Sequence, residues 1–346
     1  VKTGGNIMST VGKLALTFND LRKRQTPDGA IDRVIETLAQ SNPIMDDVVW
    51  AEGNLPTGNQ TTQRTGLPNV YLRQINRGVP AGKSSTKQVV DTCCILEARS
   101  IVDTELISLQ PDKEAFRNSE DMAFVEAMGE TVAHHIFYGD SSKDLDQFNG
   151  LGIRYNSFGG KKHEASYQVI DAGGKGKGKL SSAYLVGWGE RAVTGIYPKY
   201  GYAGLKRQDL GEVDAFDPDG NPFRALSTLF RWKPGLAVKD PEMVAAVRNI
   251  DLAAVEKSEQ VADKKLVIDS MIRAQGRMRS FNNVKAVWYV SPEMYTFLTL
   301  YFNDKNNAYI TRRELAEGMV QIAVNGIIVK KEDALTDTED VIAEAK

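Results

Sequence analysis

The sequence is poor in the residues that most often carry chemistry. Among 346 residues there are two cysteines and three histidines. Cys93 and Cys94 are adjacent, so in an extended chain they point to opposite faces and do not form a thiolate pair around zinc. They read as small buried side chains in a reducing compartment. His134 and His135 are neighbours on a helical stretch, about 100° apart around its axis, so they do not chelate one ion as an i, i+4 pair would. One is expected to face the core and the other solvent or an interface. His163 is the third, and nothing gathers the three into a triad or a metal site. No run of eighteen apolar residues occurs, which argues against a membrane-spanning helix. Val1 to Asn6 hold no apolar h-region, so no secretory leader is expected. A global excess of one charge is missing too. With 43 basic and 45 acidic residues the net charge is −2, whereas proteins that grip nucleic acid by counterion release usually carry a basic surplus.

What is present is ordinary globular composition, 42% hydrophobic and 25% charged. The length suits two domains, or one body with a large elaboration. Leu16–Arg24 and the stripe Ile31, Val34, Ile35 and Leu38 predict two short amphipathic helices, an arm that lies along something else. Val48 to Trp50 and Val70 to Ile75 predict strands. They are joined by the polar, threonine-rich and glycine-rich stretch Gly53–Pro68. So long a connection without hydrophobic pattern is usually functional or disordered. Gln88–Leu109 reads as a long strand region. Asn118 to Gly139 is the strongest helix, with Met122, Val125, Met128, Val132 and Ile136 on one face and acids in its first turn; at 1.5 Å per residue it spans roughly 30 Å. Beyond Gly150 the chain turns strand-rich. Tyr167–Ile170, Ser182–Trp188 and Arg191–Tyr197 are strands, the last two a hairpin through Gly189-Glu190. Phe223–Trp232 is another strand, and Glu242–Ile250 fits helix or strand. Leu266 to Met278 is a helix, Val284–Val290 a strand, Pro292–Phe302 a helix opened by its proline, and Gln321–Val329 a strand pair. Thr336–Lys346 is acidic and expected to be mobile.

Three motifs invite a chemical reading. Gly173, Gly178 and Lys179 match the spacing of a phosphate loop, which makes a nucleotide hydrolase the alternative of another class. Leu180 stands where the magnesium-binding hydroxyl belongs, and a strand follows where a helix is needed. Asp217, Asp219 and Asn221 match the opening of a calcium loop, but Pro222 and Thr228 occupy the positions of its glycine and glutamate, so a turn explains them better. Arg273, Arg277 and Arg279 read as a solvated helix face rather than a nucleic-acid contact. No catalytic, cofactor-binding or metal-ligating residue is assigned.

The order of elements, with Leu16-Thr-Phe-Asn-Asp-Leu-Arg-Lys-Arg24, Leu67-Pro-Asn-Val-Tyr-Leu-Arg73, Phe148-Asn-Gly-Leu-Gly-Ile-Arg-Tyr-Asn156 and Val320-Gln-Ile-Ala-Val-Asn-Gly-Ile-Ile-Val329, resembles the tailed-bacteriophage major capsid proteins of HK97-like fold, in the epsilon15 gp7-like podophage group. The resemblance implies an α+β fold and a non-enzymatic, icosahedral shell protein enclosing double-stranded DNA. It implies an N-arm at residues 1–46, an E-loop at 47–87 and a peripheral domain with its spine helix at 88–166. Residues 167–262 would form an axial domain, and 263–346 its remainder with C-terminal peripheral segments. It further implies hexamers and pentamers of this chain, a separate scaffolding protein, a portal, a decoration protein in some relatives, DNA against the inner face without sequence specificity, and no membrane. The place implied is the virion capsid, assembled in the host bacterial cytoplasm. Lys83 near the hairpin foot is too little to assign a covalent crosslink. An encapsulin-type nanocompartment shell of the same fold is the nearer alternative.

Overall fold

The computed structural model describes residues 42–345, apart from 177, 218, 258–260, 303–309 and 315–319. The two expected arm helices fall outside these residues. In chain order the described part runs α1 (Ile44–Asp47), β1 (Trp50–Glu52), β2 (Gly58–Gly66), β3 (Ser85–Thr92), β4 (Leu96–Asp103), α2 (Thr104–Ser108) and α3 (Lys113–Tyr138). There follow α4 (Leu151–Arg154), β5 (Ser157–Phe158), β6 (Val169–Asp171), β7 (Ser181–Trp188), β8 (Val193–Tyr197), β9 (Lys206–Phe216), β10 (Pro222–Trp232), β11 (Gly235–Val238) and β12 (Val244–Ile250). Last come α5 (Leu252–Lys257), α6 (Val261–Arg277), β13 (Lys285–Val290), α7 (Pro292–Phe302), β14 (Ile310–Glu314), β15 (Val320–Val324), β16 (Ile327–Lys331) and β17 (Ala343–Glu344).

The chain forms two compact units. One holds residues 95–130 and 204–233, the other 40–94, 131–203 and 234–346. The expected boundaries at 88, 167 and 262 do not coincide with them. Residues 204–233 cluster with 95–130, so the stretch 167–262 is not one compact body.

The larger unit is built on a ten-stranded mixed sheet in the order β1-β8-β7-β13-β16-β15-β14, with β11 on β8, and β12 on β7 and β6. All eight residues of β7 and all seven of β12 are buried. Near-continuous apolar runs of this kind belong to strands covered on both faces. Val267, Ile268, Met271 and Ala274 of α6 recur at helical spacing and, with Met278 just past its end, join Leu185, Val247, Trp288, Met294, Phe297 and Leu298 in one core cluster. Asn325 and Gly326, at φ of 46° and 83°, make the two-residue link between β15 and β16. A left-handed pair is what that turn demands, and Asn-Gly is its favoured sequence.

The smaller unit is a three-stranded antiparallel sheet, β4-β10-β9, with the part of α3 up to Glu130. Val102, Leu106, Ile107 and Phe116 form its core, and Phe124 stacks on Phe230 with ring centroids 5.7 Å apart. Arg117 grips Asp209 through two hydrogen bonds of 2.8 and 2.7 Å, which holds that carboxyl down at about 2. The β9–β10 hairpin closes through Asp217, whose Oδ1 accepts the Asp219 and Asn221 amides. That is a side-chain-capped turn, as expected of these residues.

Several strands differ from the sequence reading. Gln88–Leu109 is not one strand region: it breaks at Cys93–Cys94 into β3 and β4 of separate sheets and ends in α2. The polar stretch, expected as connection, supplies strand β2, while Val70–Ile75, expected as strand, belongs to none. Thr61, Thr62 and Thr65 suit a half-exposed strand well enough that composition misled. β8 meets β7 through one parallel bridge, Trp188 to Val193, not as a hairpin. Glu242–Ile250 resolves into a short 3-10 turn and β12. The acidic C-terminal stretch is docked rather than mobile: Glu339 is buried and β17 pairs with β5.

Gly195 tests the packing of the larger unit. A Cβ there would lie 2.5 Å from Val48 Cγ1 and 2.7 Å from the Trp50 ring. Gly195→Ala is expected to destabilise the protein by about 1–3 kcal/mol, as overpacking does, read as a lower midpoint in urea unfolding.

Candidate assembly surfaces

The hairpin β2–β3 leaves the body at a tightly built base. Asp91 of β3, its side chain 1% exposed, pairs with Arg154 at 2.7 Å. Arg154 also donates to the Asn149 and Leu236 carbonyls. Gln63 Nε2 donates to the Val238 and Lys239 carbonyls. A Cβ on Gly58 would fall 2.0 Å from the Asp91 carbonyl oxygen, so the two strands approach where only glycine fits. Beyond this base the strands separate from everything else. Every residue from 67 to 88 is exposed, and Leu67, Val70, Leu72 and Ile75 are exposed by 79% to 102%. Apolar side chains gathered in one exposed segment mark an interaction surface.

The root of the N-terminal segment is fixed from the opposite end of the sequence. Asn42 Oδ1 accepts the Ala334 amide, and the Ile44 amide donates to Glu332 Oε2 at 3.0 Å. Asp47 is fully enclosed. Its Oδ1 meets Lys285 Nζ at 2.6 Å and Lys330 Nζ at 2.7 Å, and its Oδ2 accepts from the Tyr289 hydroxyl at 2.7 Å. Tyr289 in turn accepts from Trp188 Nε1. Burial pushes the Asp47 carboxyl up, but these three donors together outweigh it and hold it below its ordinary value. Glu332 has no such cation. Burial, with help from the nearby Asp333 and Asp47 charges, pushes it up to about 8.

The C-terminal residues form a strap across the larger unit. Glu339 receives Arg248 at 3.2 Å, the Tyr138 hydroxyl at 2.7 Å and the Ser182 hydroxyl. Its backbone exchanges both hydrogen bonds with Leu180. Asn249, in a left-handed conformation, accepts the Ile342 amide and donates to Asp171.

The chemical motifs dissolve in this setting. Gly173–Lys179 is followed by strand β7, not by a helix. Cys93 is half-buried and Cys94 buried, and burial pushes both thiols up to about 12. His134 is exposed and His135 half-buried, the latter with Nδ1 2.6 Å from the Thr131 carbonyl. His163 meets Glu242, which also binds Arg279 at 2.8 Å. Arg277 donates to the Tyr167 and Val169 carbonyls. Two of the three arginines expected on a solvated face are thus engaged within the chain. A cavity of about 520 Å³ is lined by Ile272, Gln275, Gly276, Phe281, Asn325, Gly326 and Ile327. None of these side chains is an acid, base or nucleophile. The buried ties of Asp47, Arg248, Glu332 and Glu339 escaped the sequence reading. The available signal was a charged residue inside or against an apolar run, as Arg248 stands in Val244–Ile250.

The family model described as major capsid protein GP7 matches residues 26–343. No curated protein matches the chain. Among solved structures, the chain is similar to one from bacteriophage epsilon15, at 25% identity and a TM-score of 0.73, covering 97% of this chain and 99% of that one. It shares its fold with the capsid of bacteriophage JBD30, at 10% identity and a TM-score of 0.52, with 87% and 93% covered. Both neighbours support the HK97-like fold. An encapsulin of Synechococcus elongatus matches at 12% identity and a TM-score of 0.39 over 68% and 96%, too slight a likeness to carry the nanocompartment alternative.

The ties of Asp47 and Glu332 predict a pH window. Asp47, held low, contributes stability that is present above its ordinary range and lost as pH falls through the lowered value. Glu332, raised, contributes stability that is full below about 4.5 and lost as pH rises through about 8. Glu332→Gln removes the alkaline loss: its unfolding midpoint is expected to change little between pH 6 and 9, where the unsubstituted protein declines. Urea titrations across that range measure it.

Proposed function

The chain belongs to the major capsid protein GP7 family, and from that premise we propose how its parts build the shell. It is a capsid protein that assembles into the virion shell, and the observation that carries this is the family match over most of its length, with the epsilon15 similarity end to end. The family is structural, and the reading as a non-enzyme follows from it.

The division of labour is our reading. Residues 1–46 act as the N-arm, rooted at Asp47. The hairpin at 47–87 acts as the E-loop and clamps an adjacent copy with the exposed tip between β2 and β3. The unit of residues 95–130 and 204–233 serves as the peripheral domain around the spine helix. The ten-stranded sheet with α6 and α7 serves as the axial domain at the five-fold and six-fold positions. The compactness of each unit supports this assignment over the sequence boundaries. Copies meet head to tail in pentamers and hexamers, since heterologous contacts close into rings where the rotation allows. A scaffolding protein guides assembly in the host cytoplasm, a portal occupies one vertex, a decoration protein binds the outer face, and double-stranded DNA lies against the inner face without sequence readout. The shell is held noncovalently.

Electron microscopy of the protein produced with its scaffolding partner tests the shell reading directly, with closed particles expected. Replacing residues 68–83 by a short Gly-Ser turn removes only the exposed tip. The variant is expected to keep its unfolding free energy within about 0.5 kcal/mol, as surface changes do, and to lose particle formation. Normal particles from it would exclude the clamp.

A further inference from the structure

The hairpin differs from the rest of the chain in charge. Residues 53–90 contain Arg64, Arg73, Arg77, Lys83 and Lys87 and not one Asp or Glu. The segment carries +5 while the whole chain carries −2, so the other residues together carry −7. The same segment gathers strongly exposed aliphatic side chains, Leu72 at 102%, Val70 at 92% and Ile75 at 91%. Arg73 is folded toward Arg77, its Nε donating to the Arg77 carbonyl at 3.0 Å, so two cations stand beside Leu72 and Ile75.

We propose that the hairpin tip is received by a second copy of this chain on a face that is anionic at its rim and apolar at its floor, with the five cations steering the encounter and Leu72 and Ile75 anchoring it. The proposal rests on the shell reading and adds the chemistry of the contact. A cationic arm on a subunit whose remaining charge is negative is attracted to other copies and repelled by their own hairpins. That favours one mode of meeting over hairpin-to-hairpin pairing. Rim charges act chiefly on the association rate and its salt dependence, while the anchors act on dissociation. Nucleic acid is the competing anion. The tip suits it poorly, because Tyr71 is the only aromatic side chain between residues 67 and 84 and the apolar groups beside the arginines are aliphatic.

The test compares two full-length variants with the unsubstituted protein, each produced with the scaffolding partner: Arg73→Glu/Arg77→Glu/Lys83→Glu, and Leu72→Ser/Ile75→Ser. Assembly is followed by light scattering from 50 to 500 mM NaCl. For the unsubstituted protein the rate is expected to fall with salt. Charge reversal is expected to slow assembly tenfold or more at low salt and to flatten or invert the salt response. The serine variant is expected to keep the salt response but yield particles that dissociate at least tenfold faster. Carbodiimide coupling of particles mixed from ¹⁴N and ¹⁵N subunits should join Lys83 or Lys87 to a carboxylate across isotopes. Unchanged assembly kinetics after charge reversal, or lysine couplings confined to one isotope, overturn the proposal. So does hairpin-dependent binding of a 20-base-pair DNA in place of self-association. Absence of any particle from the unsubstituted protein sinks the shell reading instead, so the two failures are distinguishable.

Discussion

One enclosed carboxylate sets the frame for the larger unit. Asp47 sits where the chain passes from its N-terminal segment into the body, and Lys285, Lys330 and Tyr289 all close on it. Removing one partner from a buried charge costs far more than the pair contributes, because the remaining charge is left in a poor dielectric. The tie therefore specifies geometry more than it adds stability. It fixes α1 against β13 and β16, and so fixes where β1 enters the sheet beside β8 and where the hairpin departs. Every assembly element proposed for the chain is aimed from that point.

Asp47 and Glu332 show how strongly the surroundings decide behaviour. Asp47 has two ammonium groups and stays ionised. Glu332, equally buried, has an amide from Ile44 and the field of two neighbouring carboxylates, and it holds its proton into the mildly alkaline range. The same residue class thus acts as an anion in one place and as a neutral hydrogen-bond acceptor in the other. Glu339 completes the pattern at the C-terminal strap, where Arg248, Tyr138 and Ser182 converge.

Much of the fold was legible in the sequence where a single period dominated. The α6 stripe, the opening proline of α7 and the Asn-Gly link of β15 and β16 each follow from local rules; on α3 the stripe holds for Met128, Val132 and Ile136, while Met122 and Val125 are exposed. The family was legible from the order of elements and from short stretches such as Phe148–Asn156. The hairpin was misplaced because threonine and glutamine serve an exposed strand and a loop equally well, and only pairing with Val89 and Val90 of β3 decides. The exposed Val70 and Leu72 misled in the other direction. Strand-forming side chains without a partner in the same chain signal a partner elsewhere, and a sequence cannot say which. The buried ion pairs were illegible for a simpler reason: they join residues 63 to 283 positions apart.

The strap and the arm root share a consequence for biosynthesis. Ile44 finds its acceptor 288 residues downstream, and β5 finds its neighbouring strand only at Ala343–Glu344. A nascent chain still threaded through the ribosome lacks both. The larger unit can close only after translation has passed those positions, and contacts this distant in sequence form slowly. A prematurely terminated chain would keep the hairpin but lose the residues that aim it. Closure of the larger unit is thereby tied to the synthesis of residues 332–344, by topology rather than by a separate inspector.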